Sequence, residues 1–166
     1  NFELIFYSFI SVASILGILY TIFIGNVIVV GKNGYFIKNH DENPELGEIF
    51  KGFKGNYLNV VNIMFLMDLK TLLWLLLFII PGFVKAYEYS MIPYLLAENP
   101  NLSADEAFSL SKQMTTGQKM DLFVLDLSFL GWIILGLICC GIGILFVLPY
   151  PQATKAEVYL MLRDFV

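Results

Sequence analysis

The chain alternates long apolar runs with short polar stretches, and the pattern predicts helices of membrane-spanning length. From Leu4 to Val30 there are 27 residues without a charge. A helix over this run would be about 40 Å long, against a hydrocarbon core of about 30 Å. It therefore spans with tilt or kinking. Gly31 to Asn56 is polar and carries Lys32, Lys38, Lys51 and Lys54. Within it, Asn43-Pro44 reads as a helix start. Leu46, Ile49, Phe50 and Phe53 then fall at i, i+3, i+4 and i+7 on one face. This predicts an amphipathic helix over about 43–54, lying on the membrane surface or against the bundle.

The run from Tyr57 to Ile80 is apolar except for Asp68 and Lys70. Two ionisable groups near a helix centre cost roughly 5–7 kcal/mol on insertion scales, which the surrounding Leu, Ile, Val and Phe roughly offset. Pro81-Gly82 is expected to break this segment. The predicted spans or hairpin arms are then 57–81 and 83–97, with Lys85 and Glu88 three apart on one face of the second. A further polar loop follows from Glu98 to Asp121. Ser103 and Glu106 have capping-box spacing, Ala107, Leu110 and Met114 form a stripe, and Gly117 fits a helix stop. A second surface helix is expected over about 103–116. The last apolar run, 122–148, contains Asp126 and is interrupted at Gly141 and Gly143.

The two polar loops echo one another: each has Asn-Pro, an amphipathic helical stretch, a glycine and re-entry into an apolar run. As parallel repeats they would share one membrane face, and their lysines would make that face cytoplasmic. The segment Tyr57 to Leu96 would then cross twice, or dip and return. The alternative is one kinked crossing from Thr71 to Leu96, with the second loop outside.

Composition agrees with a chain embedded in lipid. Hydrophobic residues make up 58% and charged residues 14%, where soluble domains carry about 25% charged. The net charge of −4 and the absence of a basic stripe exclude nucleic acid as an expected partner. Cys139 and Cys140 are adjacent in an apolar run and form no disulfide framework or metal spacing. His40, the one histidine, reads as a solvated loop residue. Asn101-Leu102-Ser103 matches a glycosylation sequon but is read as a helix start. No nucleophile, acid–base or phosphate-binding motif is present, so no catalytic residue, metal or cofactor is expected, and an enzyme is not.

What remains are the ionisable residues inside apolar runs: Asp68, Lys70, Lys85, Glu88 and Asp126. Such residues are functional candidates by default. The plainer reading is that each snorkels to an interface. Contacts among Lys70, Glu88 and Asp126 are expected to hold together two hairpins with tips at Pro81-Gly82 and Gly141–Gly143.

Several motifs carry a family resemblance: Leu73-Trp74-Leu75-Leu76 through Ile80-Pro81-Gly82-Phe83, Tyr87, Tyr89-Ser90-Met91 and Pro93-Tyr94. Glu106-Ala107, Ser111-Lys112, Phe129 to Trp132 and Pro149-Tyr150 continue it. Over roughly Gly31 to Leu162 the chain resembles the bacterial integral-membrane family known as domain of unknown function 975. The resemblance implies a bacterial cell-membrane protein and transfers no catalytic residue. It also implies a further N-terminal segment, so residues upstream of Asn1 are expected.

The expectation is therefore an all-α, polytopic transmembrane helix bundle, a single domain over 1–166 with broken helices and amphipathic interfacial helices. It would sit as a multi-pass protein in the cell membrane. Its partners would be the lipid bilayer and another membrane protein or a second copy. The expected role is a membrane scaffold, regulator or accessory subunit; the alternative is a transporter or permease component.

Overall fold

The computed structural model describes residues 2–138, 147 and 149–165. Gly141 and Gly143 lie outside the described residues, as do Cys139 and Cys140. The fold is all-α, with no strand among the described residues. It comprises α1 (Phe2–Tyr20), a π-helical turn (Thr21–Gly25), α2 (Asn26–Lys38), a 3₁₀ segment (Leu46–Phe53), α3 (Tyr57–Leu77), α4 (Ile79–Glu88), α5 (Ile92–Glu98), α6 (Ala104–Thr115), α7 (Lys119–Ile138) and α8 (Pro149–Arg163). Among the described residues, three helices are long and apolar enough to cross a membrane: Phe6–Lys38, Tyr57–Leu77 and Lys119–Leu137.

α1, the π turn and α2 form one continuous helix with two different halves. The described side chains of α1 are exposed, whereas α2 buries Asn26, Val27, Val30, Gly31, Asn33 and Ile37. The π turn lies at the change. It loosens the usual i→i−4 ladder, and the Phe23 carbonyl there accepts a hydrogen bond from the Tyr57 hydroxyl at 2.7 Å. The helix runs eight residues past the apolar run ending at Val30. Those residues, assigned to a loop from their polarity, are held by packing on one face.

The helix predicted over 43–54 is a shorter 3₁₀ segment, and of the two places expected for it, it takes the one against the bundle. Glu45 is extended, and the 3₁₀ segment begins only at Leu46. It lies flat against α2 through two glycines. A Cβ on Gly31 would fall 1.7 Å from the Ile49 carbonyl oxygen, and one on Gly52 would fall 2.9 Å from Val27. Backbone therefore meets backbone, and Leu46 and Phe50 remain exposed on the other side.

The break expected at Pro81-Gly82 falls at Phe78, which is extended at φ −151 and ψ 122. Pro81 sits in the first turn of α4, where a missing N–H costs no helical bond. Gly82 instead lets α4 close on α3, since a Cβ there would lie 2.7 Å from the Leu75 Cα. The Phe78 N–H donates to the Trp74 carbonyl, and the Phe78 carbonyl accepts from Gly82, both at 2.9 Å. The predicted arm 83–97 is two helices, α4 and α5, separated by a turn at Tyr89–Met91, with Pro93 near the start of α5.

α5 is the hub. Ile92 to Leu96 are all buried. Ile92 and Leu96 join Val27, Val30, Val60, Ile63, Met64 and Ala107 in one core cluster. Tyr94 and Leu95 join Ile37, Met114, Leu122, Ala156 and Tyr159 in another. α6 has the expected capping box, with the Ser103 N–H donating to Glu106 at 3.0 Å and the Glu106 N–H donating to Ser103 Oγ at 3.3 Å. The chain leaves α6 through Gly117 at φ +84, a left-handed conformation that favours glycine. Away from this packed region, α1, the α3–α4 tip and α7 expose Leu, Ile, Phe and Val side chains.

Candidate functional site

The five ionisable residues of the apolar runs fall into four sets of contacts, with Lys85 and Glu88 sharing one. Asp68 of α3 accepts a hydrogen bond from the Asn26 side-chain amide at 2.7 Å. Lys70 is about 200° further round the helix. Its ammonium lies 3.6 Å from the centre of the Phe108 ring on α6, a cation–π contact.

Glu88, at the end of α4, is only 4% exposed. Oε1 accepts from Lys85 at 2.7 Å and Oε2 from Lys119 at 2.6 Å. Its backbone carbonyl accepts from Ser111 Oγ at 2.7 Å. One residue thus ties α4 to α6 and to the start of α7. The i,i+3 pair with Lys85 was readable from spacing; the second lysine was not.

Asp126 of α7 also uses both oxygens. Oδ1 pairs with Lys155 of α8 at 2.7 Å, and Oδ2 accepts from the Tyr87 hydroxyl at 3.1 Å. Asp126 lines a cavity of about 230 Å³ shared by α2, α4, α5, α7 and α8, to which Lys32, Asn33, Tyr87, Tyr94, Gln152 and Lys155 contribute. Neither Asp68 nor Lys70 lines it. Contacts among Lys70, Glu88 and Asp126 were expected; the three have different partners, because each finds a closer group on the helix beside it.

Sequence reading missed Asn26, Asn33, Tyr87, Lys119 and Lys155. Asn26 and Asn33 left a signal. They fall at i and i+7 with Val30 at i+4, so two amides share a stripe with an apolar residue, and all three are buried.

Outside the long helices, ion pairs fasten the polar segments. Lys38 and Lys51 reach the same Glu48 oxygen at 2.8 and 2.6 Å. The hydrogen bonds from Lys38 and then Lys51 hold the Glu48 carboxyl below its usual range. His40 was expected to be solvated; it is half exposed, and Nδ1 lies 2.8 Å from Glu157 of α8. The hydrogen bond to Glu157 raises the His40 pKa above its ordinary value. The Ser103 backbone N–H, and then its hydroxyl, lower that of Glu106. Glu98 holds the far end of α8 through the Tyr159 hydroxyl at 2.6 Å and the Arg163 guanidinium. Among the described residues no three His, Cys, Asp or Glu side chains gather at metal-binding distance.

The molecule is an all-α bundle with helices of membrane-spanning length, a packed polar end and exposed apolar helices. Residues 75–165, more than half of the chain, match the family described as "Protein of unknown function (DUF975)". The chain belongs to that family. No curated protein and no solved structure matches it.

Proposed function

We propose that the protein is a scaffold or accessory subunit of the cell membrane rather than a transporter. One observation carries this reading. The intramembrane charges are engaged locally, in Asp68–Asn26, Lys70–Phe108, Lys85–Glu88–Lys119 and Tyr87–Asp126–Lys155 contacts. A translocation path needs polar groups that share a route across the bilayer. Charges that close on their immediate neighbours serve to join helices.

In this reading α1 and α7 cross the bilayer, while the α3–α4 hairpin enters and returns. The charged groups on the hairpin, Asp68, Lys70, Lys85 and Glu88, lie toward its open end, and from Thr71 to Val84 it has no charge. From Lys70 to Leu77 is about 10 Å of helix, a third of a hydrocarbon core of about 30 Å. Both polar loops would then lie on one face and offer a docking platform.

The test is affinity purification of the full chain from native membranes in mild detergent. A second membrane protein recovered at fixed stoichiometry is the expected result. Recovery of the chain alone, together with solute flux in liposomes containing it, would favour the transporter reading instead.

A further inference from the structure

The cavity beside Asp126 has more hydrogen-bond donors than the protein uses. Asn33 is 4% exposed and Tyr94 is 5% exposed, and both line it. Neither side chain has a hydrogen-bond partner among the described residues, yet no fully enclosed side-chain polar atom is unsatisfied. Their residual exposure is therefore where they face the cavity. Lys32 lines the same space and makes no ion pair among the described residues. Gln152 adds a second amide without a partner. A buried amide or phenol left without a partner is costly, so such groups mark a place where something binds.

The charge of the lining selects the ligand. Lys32 and Lys155 contribute two positive charges and Asp126 one negative. Both Asp126 oxygens are occupied, by Lys155 and by the Tyr87 hydroxyl. The donors left over are an ammonium, two amides and a phenol. An occupant with several oxygen acceptors and a single negative charge would satisfy them. The space, about 230 Å³, is several times the roughly 30 Å³ share of one liquid water.

We propose that this cavity is a binding site for a phosphoryl group, held by Lys32, Asn33, Tyr94 and Gln152 with Lys155 at its edge. A phosphodiester carries the single charge that the lining would neutralise. The phosphodiester of a phospholipid headgroup and the singly charged form of inorganic phosphate both present such an occupant. The inference is independent of the accessory role, since a phosphoryl site can exist with or without a protein partner.

Native mass spectrometry of the full chain, released from detergent after incubation with phosphatidylglycerol, tests the site. One tightly held lipid per chain is expected. Lys32→Met and Asn33→Leu should each weaken its retention by about tenfold, the order expected for one charge-assisted hydrogen bond. Lys32→Arg should retain it, and Lys112→Gln on the exposed face of α6 should leave it unchanged. A parallel thermal-unfolding series with inorganic phosphate identifies the source. Stabilisation by phosphate that Lys32→Met abolishes assigns a free anion, whereas retention of lipid without any phosphate effect assigns the headgroup. Equal loss in Lys112→Gln and Lys32→Met would overturn the proposal. So would lipid retention and phosphate stabilisation both left unchanged by the two cavity variants, or the absence of both effects in the natural chain.

Discussion

The Asn59 side-chain amide, one turn into α3, donates to the Leu102 carbonyl at 2.7 Å and to the Pro100 carbonyl at 2.9 Å. The start of α3 thereby touches the loop that follows α5, more than forty residues later. Asn59→Leu should remove both bonds and leave two carbonyls short of a donor. At about 1 kcal/mol per neutral bond, and more where a buried group stays unsatisfied, the loss should total about 1–3 kcal/mol. Thermal unfolding in detergent reads it; an unchanged midpoint would mean that packing alone holds the two loops together.

The same contact bears on topology. If the two ends of the α3–α4 hairpin meet, both polar loops should face the same side. In a background with Cys139 and Cys140 replaced by Ser, Lys51→Cys and Lys112→Cys should react with an impermeant thiol reagent from one side only, and from the same side. Phe78→Cys at the tip should resist the reagent from either side. Reaction from the side opposite Lys51 would establish a full crossing.

Local features of this fold were legible in the sequence, and non-local ones were not. The Ser103–Glu106 box and the Lys85–Glu88 pair lie within three residues of each other, and helical geometry alone makes them meet. Asn26 with Asp68, Lys119 with Glu88 and Lys155 with Asp126 lie far apart in sequence. Their meeting depends on which helix packs beside which, and one sequence does not encode that in any short window. Gly31 gives a second example. Its polar surroundings suggested a loop, while its role is to let Ile49 approach α2 closely, which is visible only once both segments are placed.

That approach predicts an asymmetry between two glycines. A Cβ at Gly31 would lie 1.7 Å from the Ile49 carbonyl oxygen, whereas one at Gly47 meets nothing within 4 Å. Gly31→Ala must displace backbone rather than a flexible side chain, and should cost about 1–3 kcal/mol, as overpacking does. Gly47→Ala should be close to neutral. Comparable unfolding midpoints for the two variants would show that the 3₁₀ segment is not docked in this way.

The His40–Glu157 pair predicts a pH response. The hydrogen bond to Glu157 raises the His40 pKa above 6.5. A group with a raised folded-state pKa stabilises most below its unfolded value, and the contribution fades as pH climbs through the folded one. The stability difference between the natural chain and Glu157→Gln should therefore be largest below pH 6.5 and shrink as pH rises. A difference that stays flat, or grows with pH, would mean that the imidazole is not charged in this contact.

Glu88 predicts non-additivity. Its carboxylate is almost fully enclosed and has two ammonium partners, each about a quarter exposed. Lys85→Met or Lys119→Met alone leaves one partner in place, so each should cost about 1–2 kcal/mol. Removing both strands a buried charge, and that loss should reach about 3–5 kcal/mol. The double variant should thus cost more than the sum of the single ones when the single costs fall at the low end of their range. Adding Glu88→Gln to the double variant should restore stability, because the enclosed group no longer carries a charge while its backbone carbonyl still accepts from Ser111. If the triple variant is as unstable as the double, the penalty lies in the lost contacts of the lysine side chains themselves, such as those of Lys85 near the Trp74 and Tyr89 rings, and not in the uncompensated carboxylate.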